Sequence, residues 1–169
     1  MSAKFIGRVK SQHGQALVEF ALAFTIFLLI LLGIIEFGRL LAAYSSVYTA
    51  AREAARYGAA VEVSNGHALY NDCAGIRAAA KRVGFLGWID DNDLVNKVQI
   101  SYDKISDGLT CSACPCVNAD GKDIVTSGSR IIVKVTNVFN FIVLNVPPIK
   151  IETTSYRSIL KDVELNEQP

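Results

Sequence analysis

The chain has 169 residues and a formal net charge of +1, with 17 Lys and Arg set against 16 Asp and Glu. That is room for one domain plus an anchor. The balanced charge excludes both a global basic field for nucleic acid and an acidic surplus for a basic partner. The apolar fraction of 51% lies slightly above the range of soluble chains, and the excess is concentrated near the N-terminus.

Lys4, Arg8 and Lys10 open the chain without an acidic companion, which predicts a cytoplasmic N-terminus and an exported remainder. From Phe20 to Ile35 there is no charged residue, and Thr25 is the only polar side chain. Counted from Ala16, the run reaches the roughly 20 residues needed to cross about 30 Å of hydrocarbon, and it then admits Glu19. A cleaved signal peptide shares the basic start and the apolar stretch. This run is longer than a usual signal-peptide core, however, and Glu36-Phe37-Gly38-Arg39-Leu40-Leu41 continues as an amphipathic helix.

Phe37, Leu40, Tyr44, Val47, Tyr48, Ala51, Ala55 and Gly58 recur at three- and four-residue steps. This predicts one apolar stripe covering the core of the exported domain. Arg39, Arg52, Glu53 and Arg56 lie off it, with Glu53 and Arg56 at a pairing distance. The helix is predicted from Gln15 to about Ala60, roughly 70 Å at 1.5 Å per residue.

Val63-Ser64-Asn65-Gly66-His67 reads as a breaker. A second helix follows, with Asp72 as N-cap, Ile76, Ala79, Ala80 and Val83 as the buried face, and Gly84 and Gly87 near its end. After Trp88 the pattern turns to strands: Val98–Tyr102, Ile131–Val138, and Ile149–Thr153 after Pro147-Pro148. Asp107-Gly108 and Asp120-Gly121 mark turns between them. The predicted fold class is α+β: a long N-terminal helix, transmembrane and then amphipathic, packed on a small exported domain with a second helix and an antiparallel sheet. The predicted divisions are a basic cytoplasmic leader at 1–14, a transmembrane helix at 15–36, an amphipathic extension at 37–60, and the cysteine-bearing domain at 61–169.

Cys73, Cys111, Cys114 and Cys116 all fall on the exported side, where an even count reads as disulfides with three possible connectivities. Cys73 is expected to tie the second helix to the 111–116 loop, with no thiol left free. Zinc is the alternative for four thiolates, but only Pro115 separates Cys114 from Cys116. A redox CxxC needs a helix N-terminus behind it, and this one runs into proline and turns. His13 and His67 have no acid or nucleophile at an interpretable spacing, which leaves a catalytic triad without support. At Asp90-Asp91-Asn92-Asp93 the alternating ligands, mid-loop glycine and closing glutamate of an EF-hand are broken by Leu94 and Val95, so a solvated turn is the preferred reading and a non-EF calcium site the alternative. No phosphate-binding glycine loop is present.

A carboxylate at the centre of a bilayer costs about 2.5–3.5 kcal/mol and less near the headgroups, which makes Glu19 the most informative residue. A basic leader ending in Gly14, then Gln15, then glutamate at the fifth position after the glycine, then an apolar helix, is the layout of a prepilin. Cleavage after Gly14 leaves the ammonium of Gln15 at the helix start, and Glu19 is placed to neutralise that group on a neighbouring subunit. Glu36 lies seventeen residues further, roughly 26 Å along the axis, where it sits at the far membrane boundary and pairs with Arg39.

Gly14-Gln15-Ala16-Leu17-Val18-Glu19-Phe20-Ala21-Leu22, Gly33-Ile34-Ile35-Glu36-Phe37-Gly38-Arg39 and Ala50-Ala51-Arg52-Glu53-Ala54-Ala55-Arg56-Tyr57-Gly58-Ala59 occur in that order. Together they resemble the TadE-like family, minor pilins (pseudopilins) of the tight-adherence or Flp pilus system. Ala54 stands where that family commonly has glycine. The resemblance implies processing by a prepilin peptidase after Gly14 and a non-catalytic role in assembling or capping a thin adhesive pilus. It implies the membrane, other pilin subunits and the assembly machinery as partners, with no cofactor or metal. The implied location is the inner membrane, then the cell surface. The alternatives are a permanently tethered envelope binding protein and a tethered thiol or metal protein using Cys111, Cys114 and Cys116.

Overall fold

The apolar run and the alanine-rich segment beyond it form one helix, α1 (Gln12–Gly58), of 47 residues. The structure, a computed structural model, describes residues 12–61, 63–64, 67–83, 93–142 and 146–160. The basic side chains Lys4, Arg8 and Lys10 and the Gly84, Gly87, Trp88 and Asp90–Asn92 positions lie outside them. The chain divides between Arg39 and Leu40 into two compact units.

The first unit is helical over its described residues, beginning at Gln12 rather than Gln15. Its large apolar side chains, including Phe20, Phe27, Ile30 and Ile34, are exposed. Thr25 Oγ1 donates to the Ala21 carbonyl at 2.8 Å, which removes the one polar side chain of the run from competition with the surroundings.

In the second unit, α1 continues and is followed by a small hairpin, β1 (Val63–Ser64) and β2 (His67–Ala68). Val63, Ser64 and His67 of the predicted breaker are thus paired strand residues, whereas Asn65 and Gly66 lie outside the described residues. A single 3-10 turn (Leu69–Asn71) leads into α2 (Cys73–Val83). Asp72 caps α2: its Oδ1 accepts the Gly75 N–H at 2.8 Å, and its carbonyl accepts the Ile76 N–H at 2.9 Å. Tyr57, at the end of α1, donates its hydroxyl to the other oxygen of Asp72 at 2.9 Å. One carboxylate therefore satisfies an orphan helix donor and ties two helices together. A Cβ at Gly75 would collide with Asp72 Oδ2 and the Tyr57 hydroxyl, so any side chain there displaces the Tyr57–Asp72 bond.

After a short α3 (Leu94–Lys97) come β3 (Val98–Lys104), β4 (Leu109–Cys111), β5 (Arg130–Phe139) and β6 (Ile149–Ser158). They form one antiparallel sheet in the order β4-β3-β5-β6. Asp107-Gly108 turns β3 into β4, with Gly108 at φ +65°, a left-handed conformation that glycine adopts without strain. Alternation sets the register: Ile100 opposes Val133, and Val133 opposes Ser155. Val98, Ile100, Tyr102, Ile131, Val133, Val135 and Phe139 line the inner face, where they join alanines of α1 and Ile76 and Ala80 of α2 in one core.

The stripe that α1 buries differs from the predicted one. Val47, Ala51, Ala55 and Gly58 are buried, but their companions are Ala43, Ala50 and Ala54, whereas Phe37, Tyr44 and Tyr48 are exposed. Small side chains let the helix backbone approach the sheet; aromatic ones would hold it off. On α2, Ile76, Ala79 and Ala80 are buried as predicted, and Val83 is half-buried.

Gly58 marks the closest approach, since an added Cβ would collide with Ile131 Cδ1 and lie 3.1 Å from Ile76 Cδ1. Gly58→Val is expected to destabilise the second unit by about 1–3 kcal/mol, the usual cost of overpacking. Denaturant unfolding measures it, and Ile131→Val in the same chain should restore part of the loss. An unchanged midpoint in Gly58→Val would contradict the packing described.

Candidate functional site

At the start of α1, Gly14, Gln15, Val18, Glu19 and Leu22 lie together on an open, exposed face. Steps of three and four residues place them there. The Gly14–Gln15 bond falls in the first helical turn, where backbone N–H groups have no intrahelical acceptor and the helix frays most readily. Glu19 is one turn further along, the only carboxylate in a stretch whose neighbours are Val18, Phe20 and Leu22. Near the end of the first unit, Arg39 Nη1 donates to Glu36 Oε2 at 2.8 Å, the pair that the three-residue spacing predicts.

In the second unit, Glu53 is held by Arg56 in two bonds, from Nε at 2.9 Å and from Nη2 at 2.7 Å. Arg82 of α2 adds a third contact at 3.4 Å. The Arg56 bonds hold the Glu53 carboxyl below its ordinary pKa, with Arg82 acting in the same direction. The spacing of α1 foretells Arg56; Arg82 arrives only through the packing of α2.

The cysteines close two disulfides, Cys73–Cys114 across 41 residues and Cys111–Cys116 across five. The first joins the N-terminus of α2 to the loop after β4. Tyr102 stands beside it: its hydroxyl lies 3.2 Å from Cys114 Sγ and donates to the Tyr70 carbonyl. Burial, and next the charge of Asp123, push the Tyr102 phenol well above its ordinary pKa. Tyr70 in turn donates to Asp123 Oδ2 at 2.6 Å. All four cysteine sulfurs lie in these two disulfides. Among the described residues no cluster of His, Cys, Asp and Glu could hold a metal. Asp93 is engaged locally, accepting from Asn96 Nδ2 at 2.7 Å with Lys97 Nζ at 3.8 Å.

The outer sheet face carries ion pairs. Arg130 donates to both oxygens of Asp103, at 2.8 and 2.5 Å, across the β3–β5 register. Those bonds hold the Asp103 carboxyl below its ordinary pKa. Arg77 and Lys134, which the sequence pattern does not single out, line a common cavity of about 490 Å³ at the margin of this face.

Residues 14–56 match the family model described as TadE-like protein. This segment is similar to TadE-like proteins. The match begins at Gly14 and runs through the Glu36–Arg39 pair to Arg56, the partner of Glu53. Neither a curated protein nor a solved structure matches the chain. The TadE-like match points to a protein associated with the tight-adherence pilus, a structural class rather than a catalytic one. The TadE-like helix is also long and apolar enough to cross a membrane, which points to anchoring near the N-terminus.

Proposed function

We propose that the chain is a minor pilin of a tight-adherence pilus, inserted in the inner membrane with its N-terminus cytoplasmic and processed after Gly14. The observation that carries this reading is the coincidence of Gly14, Gln15 and Glu19 on one exposed helix face at the point where the TadE-like match begins. A lone anchor has no need of a carboxylate at this depth. A subunit entering a bundle does, because the freed ammonium of a neighbour's Gln15 requires a partner where water is scarce.

A second feature supports helix bundling. Phe27, Ile30, Ile34 and Phe37 in the first unit, and Leu41, Tyr44 and Tyr48 in the second, recur at alternating three- and four-residue steps, and each is exposed. Such a repeat is the pattern of a helix seam. The aromatic residues that do not cover the domain's own core are thereby accounted for as contacts with neighbouring pilins.

N-terminal mass spectrometry of the membrane-extracted protein tests the processing step. The mature chain is expected to begin at Gln15, and Gly14→Leu is expected to leave only the precursor. An intact leader in piliated cells would favour a permanently tethered binding protein. A mature N-terminus downstream of Leu32 would mean removal of an ordinary signal peptide, and the pilin reading would fall.

A further inference from the structure

β4 pairs with residues 102–104 of β3, so among the described residues the N-terminal half of β3 is paired on one side alone, by β5. A cavity of about 490 Å³ opens at this step in the sheet. Gln99 opposes Lys134 across β3 and β5, and Lys134 opposes Thr154 across β5 and β6. These three therefore form a row across the outer face, and Ser101 stands beside them in the same cavity wall. Arg77 reaches the cavity from α2.

Arg77 is the anomaly. Its Nε is buried without a hydrogen-bond partner, and among the described residues no carboxylate pairs with its guanidinium. A guanidinium stays charged and offers five donors in a planar fork. Leaving such donors desolvated and unpaired is costly. Asp123, whose charge reaches Tyr102 as that of Arg77 does, is already engaged by the Tyr70 hydroxyl and the Val125 N–H. Lys134 has Glu152 as its partner, but Lys150 shares that carboxylate. The charged side chains in the cavity wall itself are Arg77 and Lys134, both cationic.

We propose that this recess is a binding site for a small, polar, anionic ligand. Its carboxylate or phosphate group is held by the Arg77 fork with Lys134 as second cation, and its hydroxyl-bearing body is held by Gln99, Ser101 and Thr154. The volume falls within the range of small-molecule sites, about 300–1,000 Å³, and Val95, Ile100 and Ile132 supply apolar wall beside the polar groups. A planar carboxylate or a phosphate completes the guanidinium in the bidentate manner that arginine favours. The site belongs to the exported unit and does not depend on whether the chain enters a pilus.

The full chain in detergent, in a low-salt buffer free of phosphate, can be titrated calorimetrically with D-glucuronate, with inorganic phosphate and with D-glucose. Saturable binding of at least one anion is expected, with none of glucose, weakening as NaCl is added. A preference between the two anions identifies the group recognised. Arg77→Gln should weaken binding at least tenfold with the melting temperature retained. Should Arg77→Gln fail to fold, Lys134→Gln on the half-exposed strand face decides, with a loss of threefold or more expected. No saturable anion binding, equal binding of glucose and glucuronate, or affinity unchanged in the folded variants would each overturn the assignment.

Discussion

Replacing Cys73 and Cys114 together by alanine is expected to lower the melting temperature of the second unit by roughly 10–20 °C. The bond closes a loop of 41 residues. In the chain-entropy description such a crosslink is worth roughly 4 kcal/mol, against about 2 kcal/mol for one spanning five residues. Cys111 with Cys116, at a separation of five, is therefore the internal comparison. Cys111→Ala with Cys116→Ala should cost less, although Cys116 is fully buried and its truncation adds a packing loss. Paired replacement matters, because a single substitution leaves a thiol able to attack the other disulfide. Thermal unfolding of the three oxidised proteins, followed by circular dichroism, makes the comparison. Equal losses for the two pairs, or none for Cys73 with Cys114, would show that the long crosslink does not set the stability of this unit.

The contrast between α1 and the cysteines shows where local sequence is informative. Strand alternation places Val98, Ile100 and Tyr102 on one face and Gln99 and Ser101 on the other, and the structure keeps that division. The Asp72 cap is equally local, since it requires only a carboxylate three residues before an N–H. The phase of the α1 stripe is not local. Aromatic residues dominate any hydrophobic reading of residues 37–58, yet the sheet selects the alanines because only they allow the approach seen at Gly58. The strand β4 escapes notice because three residues, Leu109–Cys111, are too short to show a period. Disulfide connectivity depends on which cysteine of the 111–116 loop reaches α2, and that follows from the turn after β4. Arg77 shows the same limit: nothing in Ile76-Arg77-Ala78 distinguishes it from a solvated helix arginine until the edge of β3 is placed beside it.

Glu19→Ala is expected to separate anchoring from assembly, with normal processing and membrane insertion but loss of the subunit from surface filaments. The reasoning begins with the cost of the carboxylate. Near the headgroups the penalty is below the value of about 2.5–3.5 kcal/mol that applies at the bilayer centre, and an apolar replacement removes it, so insertion should be equal or better. Glu19 lies four residues beyond Gln15, on the same exposed face of α1. Under the proposed cleavage after Gly14, the contact that the substitution removes is the one between this carboxylate and the ammonium of a neighbour's Gln15. Truncating one member of an ion pair in a poorly hydrated site costs about 3–5 kcal/mol, because the other charge is left without a partner. A loss of that size is a factor of more than a hundred in an equilibrium constant, enough to reduce incorporation to background. Glu19→Gln refines the test: it keeps a hydrogen-bond acceptor and the side-chain volume but not the charge, and should fail nearly as completely. Mature protein in the membrane fraction is measured alongside sheared surface filaments, in the parent and both variants. Filaments carrying normal amounts of Glu19→Ala subunit would reduce Glu19 to an interfacial residue and would remove charge neutralisation from the assembly mechanism, whatever the outcome for cleavage after Gly14.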